Sequence, residues 1–269
     1  MSINFVVIQY LKFHCQLHKP QAELRSWLAN TVEKAEDHAE NKNNPYNLPR
    51  KNNGQFFELN AATQDQKTIL AYCLRKVKQW VLSEEDESCG FEPFRLTIRG
   101  VAGSGKSTFI QTLVTAIRKM FKNPESVVVC GPTGSAAFSA GGTTCHHKFS
   151  LPLKSSLGEI GAATLKHIKE KLRYIVALII DERSMISSGV LAMMEYRARL
   201  GAYKGQRSDQ SWGGIPIVIM VGDDFQLPSV DPGVIHVYDH STSKSDCTVA
   251  GEEIFLEFAL NVMSLEGTK

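Results

Sequence analysis

The sequence predicts an α/β domain with a mainly parallel sheet and helices on both faces. Three observations lead there. A glycine-rich loop, Gly100-Val101-Ala102-Gly103-Ser104-Gly105-Lys106-Ser107, sits between a strand pattern and a helix pattern. Apolar runs at 174–180 and 215–221 each lead into acidic or amide residues, as buried parallel strands do at their carboxyl ends. The composition, 43% hydrophobic and 22% charged over 269 residues, is that of a chain that buries a core.

The loop fits the pattern G-x-x-x-x-G-K-[ST]. Phe94 to Arg99 reads as a strand before it. Thr108 to Phe121 reads as a helix after it, with Phe109, Ile110, Leu113, Val114, Ile117 and Met120 at helical spacing. Glycines let the backbone curl until successive N–H groups face one anion, and the helix N-terminus adds partial positive charge there. In that setting Lys106 reaches β- and γ-phosphates, and the Ser107 hydroxyl ligates Mg²⁺.

Net charge is +2, which says little about partners. The local excess from Lys148 to Arg173 (Lys148, Lys154, Lys166, Lys169, Lys171 and Arg173 against Glu159 and Glu170) reads first as a solvated helix face and second as a phosphate-facing patch. The six cysteines are scattered without a C-x-x-C pair. That excludes a disulfide framework or zinc-ribbon reading and fits a reducing, intracellular compartment. No apolar run approaches a membrane-spanning length, and the apolar start lacks the basic flank of a signal peptide.

Residues 1–55 read as an extension, with helices near 5–14 and 21–38 and a polar, proline-containing link at 41–54. The ATPase-like domain is expected over 56–269. Thr63 to Leu82 is helical, with Gln66, Ile69, Leu70, Cys73, Val77, Trp80 and Val81 on one face. Gln66, at its start, has the donor and acceptor to read an adenine edge. A second strand, 126–130, runs into Gly131-Pro132-Thr133-Gly134-Ser135-Ala136-Ala137. The loop from Gly141 to Pro152 mixes hydroxyls (Thr144), imidazoles (His146), a lysine and a ring (Phe149), which suits a strand of nucleic acid. Cys145-His146-His147 keeps a metal reading open, without a second half to support it.

The third strand, 174–180, closes on Asp181-Glu182. Asp181 suits Mg²⁺ and Glu182 suits activation of a water for attack on a γ-phosphate; both also fit a plain helix cap. A helix over 187–200 points Val190, Leu191, Met194 and Leu200 inward. The fourth strand, 215–221, ends at Gly222-Asp223-Asp224-Phe225-Gln226-Leu227-Pro228, where Gln226 suits contact with the γ-phosphate or its attacking water.

Together these stretches resemble the superfamily-one helicases of the RecD-like group, specifically the petite-integration-frequency (Pif-type) DNA helicases. Four blocks carry the resemblance in order: Gly100 to Ser107; Gly142-x-Thr144-x-His146-x-x-Phe149-x-Leu151-Pro152; Ile179-Ile180-Asp181-Glu182-Arg183-Ser184-Met185; and Gly222 to Pro228. It covers about residues 59–265. It implies a RecA-like P-loop fold and ATP binding through Gly100–Ser107, Thr108 and an adenine-reading Gln66, for which Gln64 is a rival. It also implies Mg²⁺ at Ser107 and Asp181, catalysis by Lys106, Glu182 and Gln226, and single-stranded DNA along Pro132, Thr133, Thr144, His146 and Phe149. Translocation would be 5′-to-3′, in repair, recombination or DNA maintenance of nucleus or organelle. Arg183 and Asp224 depart from the family pattern, which often has an apolar residue and a phenylalanine there.

The chain stops about where a first motor domain would end. The resemblance therefore implies that the second motor domain, with its arginine finger, comes from a longer product or in trans, and that this chain alone hydrolyses ATP slowly. Two other readings stand beside it: a non-catalytic ATP- and nucleic-acid-binding module, and a different P-loop enzyme such as a small-molecule kinase.

Overall fold

The computed structural model describes residues 62–85, 91–153, 157–202, 209–226 and 245–265. The expected extension over 1–55 lies outside the described residues. In chain order the elements begin with α1 (Gln64–Glu85), β1 (Phe94–Gly100), α2 (Lys106–Phe121) and β2 (Val127–Gly131). The short pieces α3 (Gly134–Ser139), β3 (Thr143–Thr144) and α4 (Cys145–Phe149) follow, then α5 (Ala162–Leu172) and β4 (Ala177–Ile180). The chain continues with α6 (Ser188–Gly201), β5 (Ile217–Gly222), α7 (Asp246–Ala259) and β6 (Val262–Leu265). They divide into two compact units: residues up to 89 with 108–127, and residues 90–107 with 128–269.

In the first unit, α1 buries Ile69, Leu70, Cys73, Leu74 and Val77, the face the periodicity predicts. A reciprocal pair of bonds opens the helix. Thr63 Oγ1 accepts from Gln66 N (3.3 Å) and Gln66 Oε1 accepts from Thr63 N (3.1 Å), satisfying two N–H groups that a helix start otherwise leaves unpaired. Trp80 meets Phe121 of α2 with ring centroids 5.9 Å apart. Arg118 Nη2 donates to Val127 O (3.2 Å), tying the end of α2 to the next strand.

The second unit holds a six-stranded sheet in the order β3-β2-β4-β5-β1-β6. The registers Leu96↔Ile219, Ile98↔Met263, Cys130↔Thr143 and Ile179↔Ile219 are all parallel. β4 and β5 are buried along their whole length, as sheet strands covered on both faces must be. One face presents Val128, Cys130, Leu178, Ile180, Val218 and Met220 to a core with Phe149, Ile168, Leu191, Met194, Trp212 and Phe258. Trp212 and Phe258 stack edge to face, 6.1 Å apart. Met193 and Met194 of α6 are buried in the same core.

A buried charge closes one end of this core. Arg95, in β1, donates through Nη1 to Ile215 O (3.1 Å) and through Nη2 to Ser211 O (3.2 Å), and its Nε pairs with Glu257 Oε2 of α7 (3.3 Å). Ser211 Oγ donates to the same carboxylate (2.7 Å). Burial pulls the Arg95 guanidinium below its usual range, and Glu257 opposes that pull.

Several boundaries differ from expectation. The third strand begins at Ala177 rather than 174, because 173–176 form the turn out of α5, with Ile175 N reaching back to Leu172 O (3.4 Å). The fourth begins at Ile217 rather than 215, since Pro216 has no N–H to give a ladder. α2 begins at Lys106 itself. The elements α3, β3, α4, α7 and β6 were not anticipated. α7 starts at Ser245, whose Oγ accepts from Thr248 N (3.2 Å), a cap signal that was legible.

Gly251 marks where α7 crosses α6: a Cβ there would lie 1.8 Å from Ser188 O. At Gly134 a Cβ would meet nothing within 4 Å. Gly251→Ala is expected to lower unfolding free energy by about 1–3 kcal/mol or more, and Gly134→Ala to change it by less than about 0.5 kcal/mol. Denaturant titration of both variants checks this contrast.

Candidate nucleotide and nucleic-acid site

β1 delivers the chain to Gly100, and α2 starts six residues later. Between them Gly103 (φ 82°) and Gly105 (φ 81°) take left-handed backbone, which side chains rarely adopt. Ser104 N donates to Val101 O (3.1 Å), closing a tight turn. At Gly100 a Cβ would fall 2.4 Å from Ser104 Oγ, so the loop can fold under itself only with glycine there. Val101, Ala102, Gly103 and Ser107 are exposed, and Ser104 is buried. Lys106 Nζ donates to Gly100 O (2.7 Å) and Val101 O (3.2 Å), lying across the mouth of the loop. Thr108 continues α2, its carbonyl accepting from Thr112 Oγ1 (2.8 Å).

The acid pair follows β4. Asp181 N donates to Cys130 O (2.8 Å), which anchors the residue just beyond the strand. Asp181 Oδ1 accepts from Glu182 N (2.9 Å). Burial pushes the Asp181 carboxyl up to about 6; the Glu182 N–H bond and the Lys106 ammonium oppose the rise, and the Glu182 charge adds to it. Glu182 itself has φ 52° and ψ 48°. A glutamate in left-handed backbone costs about 1–3 kcal/mol and persists only where its surroundings over-determine it. Its Oε2 is buried with no hydrogen-bond partner among the described residues.

The third component follows β5. Asp223 Oδ1 accepts from Phe225 N (3.0 Å) and Asp223 O from Gln226 N (3.2 Å), forming a tight turn. Gln226 is half-buried, whereas Phe225 is 93% exposed. Leu227 and Pro228 lie outside the described residues. The structure thus gathers Lys106, Asp181, Glu182 and Gln226 at the carboxyl edge of one sheet. Gln66 belongs to the other unit, where its side-chain oxygen caps its own helix; that use was missed, although T-x-x-Q is a legible capping signal.

This donor set fits a magnesium–triphosphate. Left-handed glycines and the N-terminus of a 16-residue helix present N–H groups, and Lys106 adds a cation. Ser107 and Asp181 supply two oxygens. Among the described residues no group of three or more His, Cys, Asp or Glu could hold a metal unaided, so a cation here needs phosphate oxygens to complete its shell. The same absence removes the metal reading of Cys145-His146-His147. Cys145 is fully buried, and its thiol, with burial, pushes that of Cys130 well above its usual range.

The nucleic-acid candidates fall on two helix caps, two half-buried positions and one core position. Thr133 caps α3, its Oγ1 accepting from Ala136 N (3.2 Å). Thr144 caps α4, its Oγ1 accepting from His147 N (3.2 Å). A capping hydroxyl accepts through a lone pair and keeps its proton for another acceptor. Pro132 and His146 are half-buried. Phe149 corrects the expectation: it is 0% exposed, packed in the core, and no base can stack on it. Its place in the loop pattern made it look like a platform, but a five-residue helix must bury one side chain to be held down.

Sequence reasoning also missed a charge cluster. Asp224 pairs with Arg183, which is 2% exposed, and its Oδ2 lies 3.1 Å from Arg99 Nε. The available signal was that two neighbouring blocks each carry an unexpected charge of opposite sign.

Asp181 gives a pH dependence. Its carboxyl is raised from 3.8 to about 6, so the folded state holds this proton more tightly than the unfolded chain. Stability is lost as pH rises through that window and stays lost above it. Asp181→Asn, which keeps the acceptor for Glu182 N, is expected to gain about 1–3 kcal/mol at pH 8 and nothing below about pH 4. Denaturation without divalent cations at both pH values measures the difference.

Comparison with known proteins agrees with this geometry. Residues 63–246 match the family described as PIF1-like helicase. The ATP-dependent DNA helicase RRM3 of Saccharomyces cerevisiae is 35% identical over 141 residues, which is 49% of this chain and 18% of that protein. The ATP-dependent DNA helicase Pif1 of Campylobacter jejuni is 30% identical over 141 residues, 49% of this chain and 28% of that one. The chain thus spans under a third of the length of either. In fold, the crystal structure of Pif1 helicase from Candida albicans superposes with a TM-score of 0.54 at 23% identity, over 77% of this chain and 40% of that one. A parallel sheet of this strand order, a phosphate loop opening α2, an acid pair after β4 and a glutamine turn after β5 belong together, and the chain is a member of the PIF1-like helicase family.

Proposed function

We propose that the chain is the first motor half of an ATP-driven DNA helicase, binding Mg-ATP on the phosphate loop and single-stranded DNA along 131–137 and 144–152. One observation carries this reading: Lys106, Asp181, Glu182 and Gln226 converge on one edge of the sheet. Lys106 exchanges its loop carbonyls for phosphate oxygens. Ser107 and Asp181 hold Mg²⁺, which when bound neutralises developing phosphate charge. Glu182 Oε2, buried without a hydrogen-bond partner among the described residues, takes the proton of the attacking water. Gln226 orients that water and distinguishes tri- from diphosphate. Gln66 carries the donor and acceptor types that read an adenine.

The proton kept by Thr144 goes to a DNA phosphate, with Pro132, Thr133 and His146 beside the same strand. Movement is 5′-to-3′. The rest of the motor comes from a second motor domain, in the same product or in trans, whose arginine is worth about 10³–10⁵ in rate. The unpaired cysteines Cys73, Cys130, Cys145 and Cys247 suit a reducing nuclear or organellar compartment. No helix among the described residues is long and apolar enough to cross a membrane.

ATP hydrolysis with and without single-stranded DNA tests the reading. DNA is expected to stimulate turnover. Glu182→Gln should lower it by about 10²-fold or more with nucleotide still bound, and Lys106→Ala should weaken nucleotide binding itself. Binding of ATP and DNA without turnover favours the non-catalytic module. Turnover indifferent to DNA favours a small-molecule kinase and ends the helicase reading.

A further inference from the structure

The cluster Arg99–Asp224–Arg183 spans the ends of three adjacent strands. β5 lies between β4 and β1 in the sheet. Arg99 pairs in register with Gly222, the last residue of β5. Arg183 follows β4 by three residues and packs over the same glycine, where a Cβ would sit 2.7 Å from its Cγ. Two residues past Gly222, Asp224 receives one guanidinium from each side. Each arginine adjoins a working element. Arg99 precedes Gly100, the first residue of the phosphate loop, and Arg183 follows Glu182, the left-handed glutamate.

The two arms differ. Arg99 is 53% exposed, so its pair with Asp224 is solvent-screened and weak. Arg183 is buried, and losing Asp224 would leave its charge without compensation. Burial, reinforced by the Arg99 charge, already brings Arg183 down to about 10. The Arg183 side chain and backbone occupy the space a Cβ at Gly222 would need, so Arg183 packs directly on the end of β5. The backbone of Glu182 is thereby held from its neighbour.

We propose that Arg183 and Asp224 are a positioning pair for hydrolysis: Asp224 fixes Arg183 over Gly222 and so keeps Glu182 in its left-handed backbone, while Arg99 links the same carboxylate to the phosphate loop. This rests on the hydrolysis reading for its kinetic consequence alone. The pair acts through Glu182 and touches no reacting atom. Its contribution therefore falls on turnover and leaves nucleotide affinity alone. The charges are needed only because each answers the other.

The test is a double-mutant cycle on the full chain: Arg183→Met, Asp224→Leu and the two combined. Turnover in the presence of single-stranded DNA, affinity for ADP, and amide hydrogen exchange over 182–186 and 100–106 are measured for each. Each single variant should lower kcat by about 10-fold or more, and the double should return to within about threefold of the parent, a coupling expected of contacting residues. ADP affinity should stay within about threefold throughout, as for a residue that acts only on the chemical step.

Exchange at 182–186 should rise in both single variants and fall back in the double. If a single variant fails to fold, Asp224→Asn takes its place, keeping shape while removing charge. Multiplicative losses in the double overturn the proposal, as does a fall in ADP affinity that matches the fall in kcat. A parent with no turnover would end the hydrolysis reading instead, and exchange would still decide whether the pair holds the Glu182 backbone.

Discussion

Everything at the site depends on the register of three parallel strands. Ile180 of β4 lies opposite Met220 of β5, and Arg99 of β1 lies opposite Gly222. The next residues along are Asp181, Asp223 and Gly100. Parallel pairing brings these ends to one edge, and no loop has to travel to join them. A one-residue slip of β5 would turn Met220 and Val218 away from their core and carry Asp224 out of reach of both arginines. The hydrophobic pattern that fixes the sheet therefore also sets the site.

Two sets of buried polar groups in this unit are linked through shared carboxylates. Arg95, Ser211 and Glu257 satisfy one another and the carbonyls of Ser211 and Ile215. Glu195 accepts from Trp212 N (3.0 Å) and from Arg199. Both sets pin the stretch just before β5, where Trp212 (φ 57°) and Gly213 (φ 61°) take left-handed backbone. A buried charge alone would be costly, but a shared one specifies a single arrangement.

Much of this was legible in the residues. The phosphate loop, the strand runs and the acid pair declare themselves because each needs particular residue types at a fixed spacing. Phe149 misled, because a ring in a polar loop looks identical whether it faces solvent or core. At Gln66 the cap went unread, because capping and base reading use the same amide. Asp224 and Arg183 stand 41 positions apart in sequence. Only strand order makes them neighbours, so no local pattern could have paired them. α7 and β6 went unread because their apolar residues follow no strong period, although Ser245 marked the start.

Glu182 sets stability and chemistry against each other. Its left-handed backbone is one that glycine occupies without strain, so a simple exchange would return folding free energy while deleting the carboxylate. A lineage released from the need for turnover would gain by changing this residue early, and laboratory selection for heat resistance alone would push the same way. The glutamate at this position is thus a gauge of use: it survives only where something other than folding is being selected.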